Sequence, residues 1–157
     1  MIGCQGSGRL RRLAVLALLL PGPALALNCS VTVTPLAFGV YMPGQTGPLD
    51  AVADISVRCV AQPGSYAVTI GAGTSGDQFA RTLTAGGGNL LNYNLFRDPA
   101  RTQIWGDGTP PTFVVSGSRE RVGRPTVNVH PLYGRVYASQ LPDPGSYTDS
   151  VVVTVLF

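Results

Sequence analysis

Past residue 26 the chain offers no stretch of ten residues with helical apolar periodicity. What recurs is a short segment alternating apolar and polar residues, closed by a glycine- or proline-rich turn. Segments of this kind are CSVTVT (29–34), ADISVRCVA (53–61), SYAVTIGA (65–72), LLNYNLFR (90–97), TFVVSG (112–117), TVNVH (126–130) and YGRVYA (133–138). The last is GSYTDSVVVTVLF (145–157), in which Val151, Val153, Val155 and Phe157 fall on one face of a strand. Val152, Thr154 and Leu156 fall on the other. Between the segments stand MPGQTGP (42–48), QPGS (62–65), AGGGN (85–89), GDGTPP (106–111) and PDPGS (142–146), each a turn by composition. With 20 glycines and 13 prolines spread along the chain, helices are disfavoured. About eight short strands with frequent turns predict an all-β sandwich or small barrel of one domain.

The first residues predict a compartment. Arg9, Arg11 and Arg12 precede the apolar run LAVLALLL (13–20), and PGPALA (21–26) ends in a small-x-small pattern. This is the layout of a secretory signal peptide over 1–26, followed by a domain over 27–157. Pro21, Gly22 and Pro23 interrupt the apolar run well short of the roughly 20 residues a membrane span needs. Of the 11 basic side chains, three lie in this leader, so eight arginines face eight acidic residues in the remainder, with no lysine. That balance gives no basic surface for nucleic acid or anionic lipid. Cys4 leaves with the leader, and Cys29 and Cys59 remain as the one pair in an oxidising setting. A disulfide closing a loop of about 30 residues would contribute roughly 3–4 kcal/mol. A two-thiol metal site lacks further ligands close by.

Catalytic patterns are missing from the residues. His130 is the single histidine, and no serine or cysteine beside it has a nucleophile setting. AGGGN lacks the lysine and following helix of a phosphate loop, and GDG (106–108) lacks the further oxygen ligands of a calcium loop. The acidic residues are scattered singly. The expectation is a non-enzymatic protein with no cofactor and no metal.

Taken in order, C…LAFGVY (29–41), ISVRC (55–59), YAVTIGAG (66–73), RTLTAGGGNLLNYNLFRDPARTQIWGDG (81–108), YGRVYASQ (133–140) and PGSYTDSVVVTVLF (144–157) resemble spore coat protein U domains. That family includes subunits of archaic chaperone–usher pili. The resemblance implies an immunoglobulin-like, Greek-key β-sandwich that lacks its last strand. It implies export to the periplasm, then a place at the cell surface or in the medium. Its partners would be a periplasmic pilus chaperone, an outer-membrane usher and other pilin subunits that donate a strand. The face carrying Val151, Val153, Val155 and Phe157 would be the interface for that strand and for the chaperone. Only Leu27 and Asn28 stand between the leader and Cys29, which suits a tip or minor subunit better than a strand-donating shaft subunit. The alternative is a self-complete sandwich acting as a free or tip-located adhesin or binding module.

Overall fold

The computed structural model describes residues 28–60, 64–119 and 124–157. The expected leader lies outside the described residues. The organising element is β2 (Leu49–Val60), whose sequence LDAVADISVRCV places Ala53, Ile55, Val57 and Cys59 on one buried face. Its opposite face carries Val52, Asp54, Ser56 and Arg58. A strand with one apolar and one polar face can cover a core on one side and meet water on the other. β2 pairs on one edge with β1 (Asn28–Val33) and on the other with β7 (Thr126–Val136). β5 (Leu90–Phe96) and β4 (Arg81–Thr84) complete a five-stranded sheet in the order β1-β2-β7-β5-β4. The second sheet has the order β6-β3-β8, built from β6 (Val115–Arg119), β3 (Gly64–Ile70) and β8 (Val153–Leu156). Every one of these pairings is antiparallel. The fold is an all-β, immunoglobulin-like sandwich, as the sequence leads one to expect.

Between the sheets lie Ile55, Val57, Leu95, Leu132 and Val136 from the first and Tyr66, Val68 and Ile70 from the second. Trp105, from the connection between β5 and β6, is fully buried, and its indole N–H donates to the Val68 carbonyl at 2.9 Å. The AGGGN stretch is the β4–β5 hairpin turn: Gly86, Gly87 and Gly88 all have positive φ, a conformation open to glycine. Two segments read separately from the sequence, TVNVH and YGRVYA, are one strand. Pro131 sits inside it, pairing with Asp54 of β2, where β7 has not yet reached its first pairing with β5 at Tyr133. A residue without an N–H is tolerated there because that edge carries no ladder. β4 was not foreseen at all.

Cys29 and Cys59 are direct cross-strand partners and are disulfide-bonded, tying the edge strand β1 to β2. Replacing Cys59 by serine is expected to lower stability by about 2–5 kcal/mol in chemical denaturation. An unchanged denaturation midpoint would remove the bond from the stabilising interactions.

Candidate functional site: a half-covered groove between β1 and β8

Antiparallel partners project to the same side of a sheet, so the register tells which face each residue takes. On β1, Val31 and Val33 oppose Val57 and Ile55, both of which are sealed in the core. Val31 and Val33 therefore face inward, yet each is 42% exposed. On β8, Val153 and Val155 oppose the buried Ile70 and Val68. Val151, Val153 and Val155 pack against the core but are only partly covered. Two rows of inward valines are thus incompletely covered.

Between them runs a groove. Val33, Pro35, Leu36 and Phe38 line one side and Ser150, Val151 and Val153 the other. Ile70, Leu83, Tyr93, Leu95 and Leu132 also line this cavity of about 370 Å3. It meets a second cavity of about 710 Å3, between segments 36–43 and 142–149, and the two share Leu36, Phe38, Leu83 and Asp149. Leu36 and Phe38 reach over β7 at Gly134, where a Cβ would stand 2.5 Å from the Leu36 side chain and 2.7 Å from the Phe38 ring. Glycine is required there by that close approach.

The backbone is open along the same line. Among the described residues β8 pairs with β3 alone. Gly71 N–H donates to the Val152 carbonyl at 2.9 Å, which makes 71–152 a hydrogen-bonded pair and, by alternation, 69–154 and 67–156 as well. The amides of Val153 and Val155 consequently point away from β3, along the free edge. Phe157 keeps the inward parity, opposite Tyr66 with ring centroids 6.2 Å apart, but it lies past the end of β8 and is 54% exposed. The Arg119 guanidinium sits 5.3 Å from its ring centre.

Polar groups fix the groove's frame. Asp149, at the entrance to the terminal segment, accepts at Oδ1 from Thr74 N–H (2.8 Å), Thr74 Oγ1 (2.7 Å) and its neighbour Ser150 N–H (2.8 Å). Its Oδ2 accepts from the Tyr93 hydroxyl at 2.6 Å. Burial works to raise the Asp149 pKa, but these donors outweigh it and hold the carboxyl below its ordinary range. Burial, with Asp149 beside it, pushes the Tyr93 phenol far up, so it stays a donor at every physiological pH. Arg81 is fully buried and joins the two sheets. Its guanidinium donates to the carbonyls of Gly71 (2.8 Å) and Ile70 (3.3 Å) at the end of β3, to Trp105 O (2.9 Å), and to Asn94 Oδ1 (2.6 Å). Burial lowers its pKa.

His130 has a partner that the sequence did not disclose. Its Nε2 lies 2.9 Å from the Tyr66 hydroxyl, across the two sheets. Burial favours the neutral ring and lowers its pKa from 6.5. The unfolded chain therefore takes up the proton first as pH falls below 6.5, and stability declines until the folded ring is protonated as well. Lowering pH from 7.5 to 5.5 is expected to reduce the urea midpoint, and His130→Gln to remove that dependence. A slope that persists in the variant would assign it to another group. Among the described residues no three His, Cys, Asp or Glu side chains cluster as a metal site would.

Of the residues read from sequence as an interface, Val151, Val153 and Val155 line up along the free edge, with Phe157 at its far end. The sequence reading missed Val33, Leu36 and Phe38 as lining of the groove. It also missed Asp149, which shares the parity of 151, 153, 155 and 157 and so could have been found by counting back two residues.

Fold and groove together define an immunoglobulin-like sandwich in which, among the described residues, the outer edge of β8 is unpaired beside a half-covered core. The chain belongs to the Spore Coat Protein U domain family, whose family model matches residues 15–154. Among solved structures it is similar to a chain in the crystal structure of the CsuC–CsuE chaperone–tip adhesion subunit pre-assembly complex from the archaic chaperone–usher Csu pili of Acinetobacter baumannii. Identity is 20% and the TM-score 0.53, over 84% of this chain and 40% of that one, so the likeness is one of fold. No curated protein matches the chain.

Proposed function

We propose that this protein is a non-enzymatic structural subunit of an archaic chaperone–usher-type pilus or surface coat. A leader over 1–26 directs it to the periplasm, from which it reaches the cell surface. Its groove takes up an extended segment of a partner as an added strand. A periplasmic pilus chaperone occupies the groove first, and another subunit's strand replaces it at an outer-membrane usher. One observation carries the reading: inward valines on both β1 and β8 are half-covered along an edge whose backbone amides are free. Strand addition satisfies both deficits at once, since the added backbone pairs with the edge while alternate side chains enter the groove. Membership of the Spore Coat Protein U domain family supports it, and so does the fold likeness to a chain of a chaperone–subunit complex.

The test is co-expression with a periplasmic pilus chaperone of the archaic type. The two proteins are expected to co-purify, and the double variant Val153→Asp, Val155→Asp to lose the chaperone. A wild-type chain that is exported and folded but never retains the chaperone would contradict the assignment.

A further inference from the structure

The inward row of the terminal segment reads Asp149, Val151, Val153, Val155, Phe157, and Asp149 is its one polar member. Asp149 also lies where the two cavities meet. Its oxygens are unequally used: Oδ1 accepts three hydrogen bonds, whereas Oδ2 accepts one, from Tyr93. A carboxylate oxygen has about two acceptor sites, so Oδ2 keeps one free. Its charge is met by no salt bridge among the described residues, although the buried Arg81 acts on it electrostatically. Among the described residues no cation stands within ion-pair distance of Asp149, and Arg81 directs its guanidinium to carbonyls and to Asn94 instead.

Resting on the strand-addition reading, we infer that the groove selects its strand by charge as well as by shape. The strand it accepts carries a lysine or arginine at the position facing Asp149 and apolar side chains facing Val151, Val153 and Val155. The cation donates to the free site on Oδ2, and the charge-assisted bond fixes the register of the incoming strand. A register slip by two residues would keep the apolar alternation but set the cation against Val151. The carboxylate's hydrogen bonds from Thr74 and Tyr93 hold it in place before the strand arrives. It also remains ionised at neutral pH.

The probes are blocked peptides of about ten residues, alternating valine and threonine, in which each valine in turn is replaced by lysine or by glutamate. Binding to the folded wild-type protein is expected to show one peptide position at which lysine binds about 5- to 10-fold tighter than glutamate. In D149N the lysine–glutamate difference should vanish, read as the ratio of the two peptides' affinities within that variant so that any general loss of strand binding cancels. Should D149N fail to fold, salt decides: the lysine–glutamate difference in wild type is expected to shrink as ionic strength rises, and a difference indifferent to salt would overturn the inference. A preference of equal size in wild type and D149N, or none at any position, would equally overturn it. If the all-valine peptide itself does not bind folded wild-type protein, the groove reading falls, and this inference with it.

Discussion

Supplying a strand to the groove is expected to raise the melting temperature by about 10 °C. A flexible tether and about ten residues of alternating apolar character, joined after Phe157, are enough to place it. The gain comes from covering Val31, Val33, Val151, Val153 and Val155, each of which is already half-buried and so stands to gain about 1 kcal/mol. The strand's own buried side chains and its backbone hydrogen bonds to the edge add to this, and ordering the segment offsets most of the total. A net gain of about 2–4 kcal/mol moves the transition of a domain this size by the stated amount. Val153→Asp with Val155→Asp puts two carboxylates where the strand's side chains must pack. These variants lower the starting stability, so the informative quantity is the difference with and without the strand, which they are expected to abolish. An unchanged melting temperature in the tethered wild type would mean that the valines are covered in some other way.

Truncating Arg81 to alanine is the second large effect, expected at about 3–5 kcal/mol. The change leaves the Gly71 and Trp105 carbonyls and Asn94 Oδ1 without their buried donor and opens a cavity the size of a guanidinium stem. Arg81→Lys recovers part of the loss only, because a single ammonium cannot span acceptors arranged for a planar fork. Urea denaturation of both variants measures this. A cost below about 1 kcal/mol for the alanine variant would show that water replaces the guanidinium at little expense.

Strand periodicity was legible wherever one face of a strand is sealed and the other is wet, as in β2 and β3. β4 escaped because four residues carry too little pattern, and because its first residue is an arginine that reads as exposed and is buried. Burial of that charge depends on carbonyls at the end of β3 and on Asn94, which no local window contains. β7 was split at Pro131 because the tolerance of a proline depends on where β5 stops, a tertiary fact. The groove was half legible. The parity of Val151, Val153, Val155 and Phe157 is local information, whereas Val33, Leu36 and Phe38 line it only through tertiary packing. Asp149 is bound to Thr74 and Tyr93, 75 and 56 residues away, and nothing near it in sequence announces either partner.

Amide hydrogen exchange along the terminal segment tests the central claim most directly. The Val153 and Val155 amides point along the free edge, whereas those of Val152, Thr154 and Leu156 face β3. In the isolated domain Val153 and Val155 are expected to exchange at close to the rate of exposed amides while Thr154 is protected. Adding the strand should bring Val153 and Val155 to the protection of Thr154. Protection of Val153 and Val155 equal to that of Thr154 before any strand is supplied would contradict the account, since the edge would then already be paired.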